Sequence, residues 1–395
     1  MSETDPVVIV GAARTPMGAF QGALAPLTAS SLGGTAIAAA LQRSGLPTAE
    51  VDELIMGCVL SAGQGQAPAR QAGFAAGLGE RVPATTVNKM CGSGLKATLQ
   101  GVDQLLSGDA RAIVAGGMES MSNAPYLLPS MRAGARLGHG VSQDHMFLDG
   151  LEDAYEPGRL MGSFAEDCAA HYQFSRVDQD AYALTSLDNA LRAQREGDFD
   201  AEIATVDVVS RRDTHHVAAD EQPGRARPDK IPSLKPAFKA DGTVTAANAS
   251  SISDGAAALV LMRESDARAD GLPVRARLCG RASHAHAPGW FTTAPVPATQ
   301  RALAKAGLAV EDIGLFEVNE AFAVVPMAFM QELGVERDRV NVNGGACALG
   351  HPIGASGARI LVTLLHAMEA RDVEHGLAAI CIGGGEGAAV VLERV

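Results

Sequence analysis

Apolar residues fall into two patterns along this chain. The first is the short unbroken run: Val7-Val8-Ile9-Val10, Leu54-Ile55-Met56-Gly57-Cys58-Val59-Leu60, Ala112-Ile113-Val114-Ala115-Gly116-Gly117 and Ala256-Ala257-Ala258-Leu259-Val260-Leu261. Runs of that length predict strands buried on both faces. The second is a helical period. Residues 32–41 are Ala-rich and stop at Gly45 and Pro47, residues 69–78 form another helical stretch, and Leu95, Leu99, Val102 and Leu106 recur at helical spacing. Strands alternating with helices predict βαβ units and a mostly parallel sheet.

From about Met121 to Ser251 the pattern changes. Strand signals thin out, and residues 163–171 and 177–194 read as helices, with Ser175 as a cap for the second. Residues 211–239 are irregular, proline-rich and locally basic through Arg211, Arg212, Arg225, Arg227, Lys230, Lys235 and Lys239. On these residues alone the segment reads equally as a phosphate contact or as a solvated loop balancing Asp213, Asp220, Glu221 and Asp229.

Alternation then returns, and the first third of the chain recurs. Leu41-Gln42-Arg43-Ser44-Gly45-Leu46 matches Leu303-Ala304-Lys305-Ala306-Gly307-Leu308, Thr86-Val87-Asn88 matches Asn341-Val342-Asn343, and Ala112 to Gly117 matches Ala379-Ile380-Cys381-Ile382-Gly383-Gly384. This predicts a doubled α/β fold with a large insertion before the second copy. Two sheets would face each other across a shared helical layer, with turns from both copies meeting at one end.

Composition narrows the function. The chain has 395 residues, 47% hydrophobic and 19% charged, with a formal charge of −13. That acidity argues against nucleic acid or an anionic membrane as the main partner, because both need a basic face. No apolar run approaches the ~18 residues of a membrane span. The acidic N-terminus lacks the features of a signal or transit peptide, and the C-terminus carries no targeting tripeptide. Six dispersed cysteines without a CxxC pair fit a reduced cytoplasmic protein better than a disulfide or zinc framework, and no metal-ligand spacing is visible.

Three Gly-rich turns each carry one chemical residue. Val87-Asn88-Lys89-Met90-Cys91-Gly92-Ser93-Gly94 places Cys91 before the helix at 95–106, where unpaired N–H groups and the helix dipole favour thiolate. Alone, the stretch is equally a reactive thiol or an inert buried one. Residues 343–357 present His351 before a helix, and Cys381-Ile382-Gly383-Gly384-Gly385 places a second cysteine at a strand end. Val318-Asn319-Glu320-Ala321-Phe322 adds a polar pair, which reads equally as a cap and a solvated acid. If the duplication brings them together, Cys91 beside His351 is an activated nucleophile, Cys381 an acid or base, and the backbone N–H groups an oxyanion cradle.

At these residues the chain resembles the thiolase family. The matching blocks are Asn88 to Gly94, Gly242-Thr243-Val244-Thr245-Ala246-Ala247-Asn248-Ala249-Ser250, Asn319 to Phe322, Gly344 to Gly357 and Cys381 to Gly385, with Ala13 to Pro16 and Asp254 to Ala257 in support. The resemblance implies two βαβαβαββ halves in a five-layer α-β-α-β-α fold: residues 1–120 plus 252–273, then 274–395, with 121–251 an inserted loop domain. It implies a CoA-dependent acyltransferase working by ping-pong Claisen condensation or thiolysis, on acetyl-CoA or broader 3-oxoacyl-CoA. CoA would be substrate and product, with no permanently bound cofactor and no metal.

Carried over, Cys91 takes the acyl group. His351 activates it and polarises the second thioester, Asn319 holds a water in that oxyanion hole, and Cys381 moves the α-proton. The N–H groups of Cys91 and Gly383 form the other hole. Ser250 matches the pantetheine contact, and Arg225 meets the nucleotide phosphates. The family also implies a homotetramer built through residues 122–147.

Two departures stand out. Leu160, before Met161-Gly162, replaces a histidine common in acetoacetyl-CoA thiolases near the acyl pocket, admitting longer or branched acyl groups. Glu386 replaces a common glutamine. Of the rivals, carrier-protein condensing enzymes lack a base cysteine, and non-catalytic thiolase-like binders tend to lose one of Cys91, His351 and Cys381.

Overall fold

The computed structural model describes residues 5–395; the first four residues of the acidic N-terminus lie outside it. Nine long strands make one mixed sheet system. They are β1 (Val7–Arg14), β2 (Glu53–Gly57), β3 (Ala84–Val87), β4 (Ala112–Ser120), β5 (Ser253–Arg263), β6 (Ala276–Ala285), β7 (Leu315–Val318), β8 (His375–Ile382) and β9 (Glu386–Arg394). The spatial order is β7-β8-β9-β6-β1-β5-β4-β2-β3, with the short strand Gly18–Ala19 added to β5.

The order is two copies of one unit. The first half runs β3-β2-β4-β5-β1; the second runs β7-β8-β9-β6, with Val340 pairing parallel to Phe316 where the first half has β3. The halves join at β1–β6 through Val8↔Arg277 and Ile9↔Ala276. The recurring sequences fall at equivalent points: Gly45 (φ 75°) and Gly307 (φ 72°) both end helices in the left-handed region that glycine enters freely.

The expectation of a mostly parallel sheet is corrected. Only β2–β3, β2–β4 and β7–β8 are parallel; the pairings around β1, β5, β6 and β9 are antiparallel. The reason is connection length. β8 returns as β9 through the tight turn at Gly383–Gly385, and a short turn forces a hairpin. β5 reaches β4 and β1 only after the insertion, so no helical crossover dictates its direction.

Helices fill three layers. α1 (Ala29–Ser44) and α2 (Pro68–Ala75) cover the outer face of the first sheet, packing Leu32, Ile37 and Ala72 on Val8, Met56 and Val260. α3 (Ser93–Ser107) lies between the sheets. The insertion supplies α4 (Met161–Tyr172) and α5 (Arg176–Glu196), and α6 (Pro295–Ala306) and α7 (Val324–Leu333) cover the second sheet. α8 (Ile353–Ala370) shares the middle layer with α3 and is buried from Ile353 to Met368, as an almost wholly apolar helix should be. This is the five-layer α-β-α-β-α arrangement.

The middle layer positions the site. A Cβ on Gly94 would lie 2.7 Å from Ala358 N, and one on Gly357 would lie 2.4 Å from Leu95 N. Only paired glycines let the two backbones approach so closely. The crossing falls in the first turns of α3 and α8, so the residues just before each helix, Cys91 and His351, are brought to one end of the molecule.

The insertion contains short two-stranded ribbons, Tyr126–Leu127 with Gln143–Asp144 and Val206–Val209 with Thr214–Val217. Ser175 caps α5 as expected: its Oγ accepts from Asp178 N, and Asp178 Oδ2 accepts from Ser175 N. Among the described residues no helix is long and apolar enough to cross a membrane.

Candidate active site

Cys91 sits on a strained strand-to-helix turn. β3 ends at Val87, α3 begins at Ser93, and Met90 between them has φ 47°. For a non-glycine residue that conformation costs about 1–2 kcal/mol. Local bonds hold it: Lys89 N donates to Ser93 Oγ (2.8 Å), and Ser93 Oγ donates to Met90 O (2.6 Å). Gly92 packs closely on the end of β8: a Cβ there would lie 2.4 Å from Ile382 Cδ1. Lys89 forms an ion pair with Glu386, so the departure from glutamine places a carboxylate that ties the Cys91 turn to the glycine turn after β8.

The expected thiolate is not what the surroundings favour. Burial pushes the Cys91 thiol up to about 11, against the opposing pull of N–H groups of Gly383 and of Cys91 itself. The N–H groups of Gly92 and Ser93 are already given to Lys89 O and Met90 O, so the helix end contributes little to the sulfur. At rest Cys91 is a thiol, and as a nucleophile it would need a base.

His351 has the required state. Burial and the Arg359 charge lower its pKa to about 3, which keeps the ring neutral. Ser356 Oγ donates to Pro352 O (2.9 Å) and lies 2.6 Å from His351 Nδ1, so Nδ1 carries the proton and donates to Ser356. Nε2 is left with its lone pair, is buried, and meets no protein partner. Ser356→Ala is therefore expected to slow Cys91 acylation about 10- to 100-fold. In the wild type, the acylation rate measured by rapid quench should show no inflection near pH 6.5; a midpoint there would contradict a neutral His351.

Asn319 follows β7, with its N–H on Ala379 O (2.9 Å) of β8. Its side chain is wholly buried, yet Oδ1 and Nδ2 have no protein partner. Leaving such groups unpaired costs about 1–3 kcal/mol each, so orphaned atoms on both Asn319 and His351 mark a place for a polar ligand. Cys381, near the end of β8, is fully buried, and burial together with neighbouring Cys91 raises its pKa. It holds its proton at rest.

The loops are laced together. His351 N donates to Ser251 O (3.0 Å), and Ser250 N donates to Ala321 O (3.0 Å). Met161 is the first residue of α4 and borders Gly383, where its Sδ would lie 3.7 Å from an added Cβ; half-buried Leu160 is the residue before that helix. The structure thus gathers Cys91, Gly383, Cys381 and Met161, sets Asn319 just past the end of β7 with its N–H on Ala379 O, and ties Ser250 and His351 to neighbouring loops. Arg225 lies elsewhere. It is exposed and paired with Glu221 (2.9 Å), lining a concavity of about 340 Å³ with Arg227, Lys230, Leu187, Ile231 and Ala247.

Sequence reasoning missed three features. Glu320 is not a solvated acid but is fully buried, accepting from Tyr182 Oη (2.9 Å), Ser186 Oγ (2.8 Å), Asn341 Nδ2 (2.8 Å) and Cys347 N (2.9 Å). Phe238 stands edge-on to Phe322 and fills the space a Cβ on Gly162 would need. Ser356 lies inside the 343–357 block, five residues after His351, but it carries no signal of its own until its bond to His351 is seen. One cluster with possible metal-ligating atoms occurs among the described residues, Glu374, His375 and Glu393, at the opposite end of β8 from Cys381.

Fold and site together define a two-copy α/β protein with a pair of buried thiols, Cys91 and Cys381, at one end of its middle layer. Residues 7–265 match the model of the thiolase N-terminal domain and residues 272–394 that of the thiolase C-terminal domain. The chain belongs to the thiolase family. It is 51% identical over 390 residues to an acetyl-CoA acetyltransferase of Pseudomonas aeruginosa, covering 98% of this chain and 99% of that one. It is 52% identical to an acetyl-CoA acetyltransferase of Escherichia coli K12 with the same coverage. Among solved structures it superposes on the Bacillus anthracis acetyl-CoA acetyltransferase with a TM-score of 0.97 at 39% identity, each chain covered in full. It superposes on the Acat5 thiolase of Ascaris suum in complex with coenzyme A with a TM-score of 0.93 at 42% identity, covering 99% and 100%.

Proposed function

We propose that the protein is an acetyl-CoA C-acyltransferase that joins two acyl-CoA molecules, or cleaves a 3-oxoacyl-CoA with CoA, through an acyl group on Cys91. Support for this reading comes from a protonated Cys91 beside a second buried thiol at Cys381, and from a neutral His351 with a free Nε2 just before the helix that crosses the one after Cys91.

In the first half-reaction His351 Nε2 takes the Cys91 proton as sulfur attacks the thioester carbonyl. The N–H groups of Cys91 and Gly383 hold the resulting oxyanion. Collapse expels the CoA sulfur, which takes the proton back and leaves His351 neutral. In the second half-reaction Cys381 gives its proton to His351, and the thiolate so formed removes the α-proton of the next acyl-CoA. Protonated His351 and a water on Asn319 stabilise the enolate oxygen, the enolate carbon attacks the acyl carbonyl, and Cys91 leaves, taking its proton from His351. In cleavage Cys381 returns its proton to the departing acetyl-CoA carbon, a role that its raised pKa supports.

Coenzyme A enters as substrate and product rather than as a resident cofactor. The concavity beside Ala246 and Ala247, near Ser250 in sequence, is suited to its nucleotide end, with Arg227 and Lys230 joining Arg225 at a phosphate-accepting rim. A homotetramer is supported by the exposed apolar residues Tyr126, Leu128, Met131, Leu137 and Val141 within residues 122–147. The free thiols of Cys91 and Cys381 suit the reducing cytoplasm.

The experiment is a thiolysis assay on 3-oxoacyl-CoAs of graded chain length. Wild type is expected to cleave substrates beyond the four-carbon one, and Leu160→His to narrow the range. Each methylene that a pocket accepts or refuses is worth about 10- to 200-fold in kcat/KM. Unchanged relative kcat/KM for four- and eight-carbon substrates would remove Leu160 from specificity, and no cleavage of any of them would refute the activity.

A further inference from the structure

One buried carboxyl group is not used by this chemistry; burial pushes it up to about 7, against the pull of its N–H donors. Glu119, near the end of β4, is fully buried, and all its partners donate to it. Oε2 accepts from Val59 N (3.0 Å) and Gly354 N (2.8 Å); Oε1 accepts from Leu60 N (3.1 Å) and Cys58 Sγ (3.5 Å). Val59 and Leu60 follow β2 in the first half. Gly354 lies in the first turn of α8 in the second half, three residues after His351. The carboxylate therefore bridges the two copies of the fold beside the site. Val59, Leu60 and Ile353 form one apolar cluster against Met90 and Cys91.

The seat is tight. A Cβ on Gly354 would lie 2.6 Å from Glu119 Oε2, and one on Gly117 would lie 2.1 Å from Gly354 O. A carboxylate at a helix N-terminus is favourable in itself, and here it fixes where that helix begins. We propose that Glu119 is a positioning residue: it grips the amino end of α8 and so holds His351 at the working distance from Cys91. This rests on the reading of His351 as the base for Cys91. An isosteric amide cannot replace the carboxylate, because its NH2 would face two of the four donors.

The test measures carbamidomethylation of Cys91 by iodoacetamide at neutral pH, followed by peptide mass spectrometry, in wild type, Glu119→Gln, His351→Asn and the double variant. Glu119→Gln is expected to slow labelling of Cys91 between about 10- and 10²-fold, the usual consequence of misplacing a base by an ångström or less. The affinity for coenzyme A is expected to stay unchanged. In the His351→Asn background Glu119→Gln should add no further loss, because Glu119 acts through that ring.

Labelling as fast as or faster than wild type overturns the proposal, since removing a negative charge alone would make the thiol more acidic. An equal further loss in the His351→Asn background also overturns it, because the effect would then bypass His351. Should Glu119→Gln fail to fold, Glu119→Asp keeps the carboxylate but withdraws it from Gly354 N, and it should reproduce the loss and its dependence on His351. The readout uses no acyl-CoA, so an error in the assigned reaction would appear in the thiolysis assay and not here.

Discussion

Cys91→Ser is expected to lower turnover by about 10⁴-fold or more, with the fold and coenzyme A affinity retained. The size of the effect follows from the state of the thiol. Cys91 is already pushed up to about 11, and in the proposed mechanism neutral His351 accepts its proton during attack. A serine hydroxyl is a much weaker acid and a weaker nucleophile toward a thioester, and the same imidazole cannot make up the difference. The turn should survive, because Met90, Gly92 and Ser93 hold it without using the Cys91 side chain. Steady-state kinetics with calorimetry on coenzyme A check both halves of this expectation. Turnover within tenfold of wild type would remove Cys91 from the chemistry.

Cys381→Ser should separate the two half-reactions. Cys381 is buried beside Cys91, but it is neither on the Cys91 turn nor bonded to His351. Exchange of acetyl between acetyl-CoA and labelled CoA needs only the first half-reaction, and it should stay within about tenfold of wild type. Carbon–carbon bond formation needs the α-proton removed and should fall about 10³-fold, within the range of general acid–base contributions. Parallel loss of exchange and condensation would show that Cys381 supports the site as a whole rather than moving one proton.

Much of the fold was legible in the chain. The recurrence of Leu41 to Leu46 in Leu303 to Leu308 marked equivalent helix ends, and the structure places Gly45 and Gly307 in the same left-handed cap. Strand direction was not legible. Apolar runs such as Ala256 to Leu261 report burial, whereas pairing depends on connections that cross the insertion. The site was legible as motifs but not as electrostatics. Local signals around Cys91 favour thiolate; the burial that reverses them comes from Ile382, Val59, Leu60 and Ile353, remote in sequence. Glu320 looked like a surface acid because its partners Tyr182 and Ser186 lie 138 and 134 residues away in α5. Glu119 was silent for the same reason: nothing in Gly-Met-Glu-Ser indicates that its donors come from both halves.

In the proposed mechanism the acyl group resides on Cys91. Incubating the protein with labelled acetyl-CoA, quenching in acid and mapping the peptides locates it. One acetyl thioester is expected, on the peptide carrying Cys91, absent in Cys91→Ser and retained in Cys381→Ser. Label on Cys381 or any other residue, or none at all in an active enzyme, would contradict it.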